Sequence, residues 1–81
     1  EIEVVEGFAG ERYGVPVQPT LDAIHLAGRL EGMICDPVYE GKSMAGLVGL
    51  VGDATIPADA TVLYVHLGGA PALNAYSALF V

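Results

Sequence analysis

Tyr39 and Glu40 stand side by side in the stretch DPVYEGKSMAG, Asp36 to Gly46, which also holds a second acid, a proline, two glycines and a lysine. Two chemistries compete for this set. A lysine after a glycine suggests phosphate binding, while a Tyr-Glu pair suggests proton transfer. The phosphate reading fails on spacing: a P-loop needs GxxxxGK(S/T), and Gly41-Lys42-Ser43 follows DPVYE, which has no leading glycine. The catalytic reading needs a tyrosine that transfers a proton or attacks, its pKa lowered from ~10 by a nearby cation. The glutamate would then hold a ring nitrogen protonated. The plain alternative is a tyrosine packed at a strand end beside a solvated glutamate, and spacing alone leaves both open.

The remaining chemistry-bearing residues are sparse. His66 ends an apolar run, and His25 lies elsewhere, on the first predicted helix, so no metal-ligand spacing forms. A lone histidine in such surroundings reads as a structural residue. Gly68-Gly69 could present backbone N–H groups to an anion, or could make a tight turn. Cys35, the single cysteine, sits in Met33-Ile34-Cys35 and reads as a buried small hydrophobe in a reducing, cytoplasmic setting.

The elements that must position these residues follow from periodicity. Glu1 to Glu6 alternates as a strand end or an acidic lead-in, and Gly7 to Val17 reads as a loop. Pro19-Thr20 predicts a helix start with Thr20 as N-cap. Leu21, Ile24, Ala27 and Leu30 recur at helical spacing, and Gly32 stops the helix. Met33 to Cys35 predicts a short buried parallel strand that ends at Asp36-Pro37. Gly41 to Gly52 predicts a buried, closely packed helix, although its glycines cost about 1 kcal/mol each relative to alanine. After a loop over Asp53 to Ala60, Thr61 to His66 predicts a second strand. A short helix is expected from about Ala70 to Tyr76. The order helix, strand, helix, strand, helix predicts an α/β layer with parallel strands and a right-handed crossover. Sites in such layers lie at the carboxyl ends of strands, where 36–46 and 66–74 both fall.

Composition sets the limits. At 81 residues the chain allows one small domain, and such a chain buries only about 60 % of its unfolded surface. Yet 53 % of it is hydrophobic and 16 % charged, too apolar for disorder and for a comfortable free-standing surface. Three basic residues against ten acidic ones leave no patch for nucleic acid. The apolar run from Met44 to Gly52 is well short of the roughly 18 residues of a membrane span. Opening on Glu1 and closing on Leu79-Phe80-Val81, the chain reads as a piece of a larger protein. A small acidic interaction module without chemistry is the competing class.

YGVP, LEGMICDPVYEGKSMAGL and VLYVHLGGAPALNAY, in that order, resemble the C-terminal tail of the 1-aminocyclopropane-1-carboxylate deaminase and D-cysteine desulfhydrase family. The resemblance runs from about Phe8 to Phe80 and is most specific in DPVYxGK(S/A)MAGL and HxGGxPAL. The loop over Asp53 to Ala60 is less typical, and Val51-Gly52 stands where the family often has a basic residue. The resemblance implies a pyridoxal 5′-phosphate-dependent enzyme of the tryptophan-synthase-β-like group. Residues 1–81 would be an incomplete C-terminal part of its larger three-layer α/β/α cofactor domain. It further implies a homo-oligomeric parent acting on a small amino acid, with no nucleic-acid or membrane partner and no metal.

By position, Tyr39 matches the active-site tyrosine of the family, and Tyr13 a second tyrosine that lines the substrate pocket. Glu40 matches the acid facing the cofactor's pyridine nitrogen. Lys42 is not the Schiff-base lysine, which the family carries far upstream. Glu40 after the tyrosine and Leu67 after the histidine resemble the ring-opening branch, where the desulfhydrases tend to place small hydroxyl residues; Ser43 points the same way. The expected reaction of the whole enzyme is conversion of the cyclopropane amino acid to 2-oxobutanoate and ammonia. Release of pyruvate, sulfide and ammonia from D-cysteine is the alternative, and the segment alone is expected to be inactive.

Overall fold

A computed structural model describes residues 2–80; Glu1 and Val81, the ends of the acidic lead-in and of the apolar tail, lie outside the described residues. Helix α1 spans Gln18–Glu31 and helix α2 spans Glu40–Gly52, and an 11-residue 3₁₀ segment covers Ala70–Phe80. Residues 2–17 and 53–69 form no regular element. No described helix is long and apolar enough to cross a membrane.

The start of α1 differs from the expected Thr20 cap. Val17 occupies the cap position in an extended conformation, and the proline falls in the first turn. Proline tolerates that turn because its missing N–H would have had no helical partner there. Thr20 is thereby drawn inside the helix, where its N–H reaches Val17 O at 3.1 Å and its hydroxyl is buried without a partner. At the other end Gly32 adopts the left-handed conformation (φ 64°) and its N–H bonds back into the helix, as a terminating glycine should.

The buried stripe of α1 is Thr20, Ala23, Ile24 and Ala27. This is rotated from the expected stripe: Leu21 is only partly buried and Leu30 is exposed. Small side chains win this face because they let the two helices approach closely. On α2 the facing residues are Glu40, Gly41, Met44, Ala45 and Gly46. Ile24 lies so near Gly41 that a Cβ there would stand 2.8 Å from its side chain. Cys35 completes the core, which Phe8, Met33, Leu47, Tyr64 and Phe80 flank. Gly49 likewise admits the Phe8 ring, since a Cβ would meet its edge at 2.7 Å. The expected close packing of α2 therefore holds on one side, while Val48 and Val51 face outward.

No strand forms among the described residues, so the structure is helical and does not display the expected α/β layer. Met33 to Cys35 and Thr61 to His66 make no ladder of backbone hydrogen bonds with each other. They are linked through side chains instead, His66 Nε2 meeting Ile34 O at 2.7 Å. Parallel pairs are weak in isolation and are normally covered on both faces, whereas Ile34, Leu63 and Val65 are all exposed here. The final expected helix is a pair of 3₁₀ turns that meet at the non-helical Tyr76, in keeping with the poorer hydrogen-bond geometry that limits such runs.

These contacts make two glycine substitutions diverge. Gly41→Ala should lower stability by about 1–3 kcal/mol, because its methyl meets the Asp36 carbonyl and Ile24. Gly52→Ala meets nothing within 4 Å and should gain up to about 1 kcal/mol from helix propensity. Urea unfolding of the two variants beside the parent checks both signs.

Candidate active site

The site is built on a turn held from below. Asp36 is 0 % exposed. Its Oδ2 accepts the backbone N–H groups of Val38 (2.9 Å) and Tyr39 (2.8 Å), and its Oδ1 accepts that of Glu40 (3.0 Å). Its carbonyl takes the Gly41 N–H at 2.7 Å. Aspartate readily bonds the backbone two or more residues on, opening a turn into a helix. The sequence reading took Asp36-Pro37 only as the end of a strand and missed this role, although an aspartate just ahead of a helix start was the available signal.

From this turn Tyr39 points outward and Glu40 inward. The Tyr39 hydroxyl meets that of Tyr13, from the glycine-rich loop, at 2.6 Å, with the rings edge to face at 6.4 Å between centroids. Tyr13 is 79 % and Tyr39 54 % exposed, and Leu67 is 83 % exposed. A cavity of ≈ 540 Å³ lies between the helices and is lined by Phe8, Ala23 and Ala45, among others. The tyrosine pair thus occupies open surface.

Glu40 is 6 % exposed. Its Oε1 accepts the Leu67 N–H (3.0 Å), and its Oε2 accepts the Tyr64 hydroxyl (3.0 Å), which also lies 3.1 Å from the Glu40 carbonyl. The expected site residues therefore converge in two linked pairs, Tyr13 with Tyr39 and Glu40 with Leu67. Tyr64, read from sequence only as part of a strand, is the side chain that ties the extended segment to α2.

The electrostatics differ from the expectation at one point. Every group acting on Tyr39 raises its phenol above the ordinary value: first the Tyr13 hydrogen bond and charge, then burial, Asp36 and Tyr76. The lowering cation of the sequence reading has no counterpart in that set. Burial raises the Cys35 thiol, and Glu40 and Asp36 add to it, which fits an inert packed cysteine. His66 is satisfied on both nitrogens, Nε2 facing Ile34 O and Nδ1 accepting the Gly68 N–H at 3.3 Å. Gly69 O accepts the Ala72 N–H at 2.9 Å. The Gly68 N–H is accordingly already used, and Gly69 leads into the 3₁₀ segment.

No family model matches the chain. It is similar over 99 % of its length to curated 1-aminocyclopropane-1-carboxylate deaminases: 59 % identical to that of Allorhizobium ampelinum, 58 % to that of Methylobacterium nodulans and 52 % to that of Mesorhizobium japonicum. The chain spans about 24 % of the length of each.

Tyr64 offers a direct check on the geometry. Burial first, then its hydrogen bond to Glu40 and the charge of that residue, push its phenol up to about 12, against the opposing effect of Ser43. The folded state thus holds this proton more tightly than the unfolded one. The resulting stabilisation is complete below the ordinary tyrosine value of ~10 and is lost as pH rises through about 12. Tyrosinate absorbance titrated on the parent and on Tyr64→Phe should differ by one group that ionises near 12. A difference centred at the ordinary value would contradict the buried hydrogen bond.

Proposed function

We propose that this chain, which across the segment it spans belongs to the 1-aminocyclopropane-1-carboxylate deaminase family, supplies the tyrosine pair and the acid of a ring-opening deaminase. The whole enzyme consumes water and converts the cyclopropane amino acid to 2-oxobutanoate and ammonia. The observation that carries this reading is the 2.6 Å contact between the Tyr13 and Tyr39 hydroxyls beside the buried Glu40–Leu67 pair.

Pyridoxal phosphate, when bound, supplies an electron sink for the carbanion left as the strained ring opens. Glu40 suits such a group. Each carboxylate oxygen takes one donor from the chain, the Leu67 N–H or the Tyr64 hydroxyl, which leaves lone-pair capacity for a pyridinium N–H. Glu40 would hold that proton in place. Tyr39, its phenol held above the ordinary value, shares one hydrogen bond with Tyr13, so the pair can deliver a proton at a substrate carbon or pass one between its oxygens. For Tyr39 to act as base or nucleophile its own proton must leave first, and Tyr13 Oη is placed to receive it. Leu67 offers an apolar surface to a hydrocarbon ring, whereas a hydroxyl there would suit the polar leaving group of D-cysteine.

The reading extends to the parent protein: an α/β/α cofactor domain of which this segment is the C-terminal part, in a cytoplasmic homo-oligomer. In that setting Met33–Cys35 and Thr61–His66 would pair with neighbouring strands, which accounts for their exposed apolar residues here.

The complete protein, supplied with pyridoxal phosphate, should form 2-oxobutanoate from 1-aminocyclopropane-1-carboxylate. Pyruvate and sulfide from D-cysteine, with the cyclopropane acid untouched, would transfer it to the sister activity. Tyr39→Phe should lower kcat by about 10²–10⁴-fold, the usual worth of a positioned proton donor or acceptor. Tyr13→Phe removes the hydrogen bond that does most to raise the Tyr39 phenol. The Tyr39-dependent limb of the pH–rate profile should therefore move to lower pH in that variant; an unmoved limb would count against the pair.

A further inference from the structure

We propose that Asp36 is the positioning residue of this site, a single buried carboxylate that sets the orientation of both Tyr39 and Glu40 and seats the Leu67–Gly69 loop against them. The proposal rests on the deaminase reading for its catalytic consequence, but its geometry stands alone. Three successive N–H groups, from Val38, Tyr39 and Glu40, end on the two Asp36 oxygens, and the next, from Gly41, ends on its carbonyl. The outward tyrosine and the inward glutamate are neighbours on that turn, so the backbone from which each side chain leaves cannot reorient without releasing an Asp36 bond. Gly69 packs directly on the same carboxylate at φ 89°: a Cβ there would collide with Oδ1 and come within 3.3 Å of the Tyr39 ring. The loop whose Leu67 N–H binds Glu40 is thus registered on the residue that holds the Glu40 backbone.

Asparagine cannot reproduce this arrangement. It offers one oxygen where two are used, and its amide would turn a donor toward a backbone donor. It also removes a negative charge that faces Tyr39. The other titratable groups facing that phenol are Tyr13, from the loop, and Tyr76, from the 3₁₀ segment, and both remain.

The test uses the complete protein loaded with pyridoxal phosphate, with its tyrosine ring carbons isotopically labelled and the Tyr39 signal assigned through Tyr39→Phe. Asp36→Asn should lower kcat by about 10–10²-fold with KM little changed, as expected for a misplacement of reacting groups. Its Tyr39 resonance should titrate at lower pH than in the parent. A variant with parental kcat and an unmoved Tyr39 titration overturns the proposal. Should the parent itself open no cyclopropane ring, the deaminase reading fails while the Tyr39 titration still decides the role of Asp36. A measurement on the unsubstituted protein covers failure of the variant to fold: the Val38, Tyr39 and Glu40 amides should exchange with solvent slowly and together. Rapid, independent exchange of the three would also overturn the assignment.

Discussion

A carboxylate with no exposure to water is tolerable only when its oxygens are fully used, and at Asp36 the donors are the backbone itself. Moving such a group out of water costs several kcal/mol. Hydrogen bonds to a charged acceptor return about 1.5–3 kcal/mol each, so three of them offset the penalty. The same bonds satisfy amides that open α2 and would otherwise lack helical partners. The start of α2, the direction of Tyr39 and the burial of Glu40 all descend from this one arrangement. It also explains why glycine sits at 41 and 69, where a side chain would press on Asp36.

Around that anchor the packing is economical rather than extensive. Ala23, Ala27 and Ala45 meet across the α1–α2 contact, and Ile24 and Met44 provide most of its bulk. Close approach of small residues gives a rigid pair of helices without a large core. Much of the apolar surface of 33–35 and 61–66 stays outside instead, with Ile34, Val62, Leu63 and Val65 exposed. The chemistry-bearing face is therefore open on one side and firmly braced on the other.

The helices were legible because their signals are local. Periodicity and a terminating glycine located α1, and a run of small and apolar residues located α2. The start of α1 was misplaced because a proline in the first turn outweighed the capping preference of Thr20. The strands were not realised because strand pairing is set by partners distant in sequence: the two segments meet through the His66 side chain rather than along a ladder, and Tyr64 bonds to Glu40 of α2 instead. Of the site, Tyr13, Tyr39, Glu40 and Leu67 were reached through a motif resemblance, and the fold brings them together in two hydrogen-bonded pairs. Asp36 and Tyr64 were missed for a common reason. Their importance lies in which atoms they meet across the chain, and residue type does not display that. The direction of the Tyr39 shift was missed likewise, since it depends on a tyrosine 26 positions away.

The bond from the Leu67 N–H to Glu40 Oε1 joins a residue on the open face to one buried beneath it. Tyr64, three positions earlier on the same segment, grips the other oxygen of that carboxylate. Residues 64 to 67 and the first turn of α2 consequently behave as one piece of machinery. Because the bond at 67 is made by the backbone, the side chain there can be exchanged on the open face without disturbing the acid below, whereas a change at 40 loosens the loop above. The outer surface is thus free to vary on a frame that the buried acid holds still.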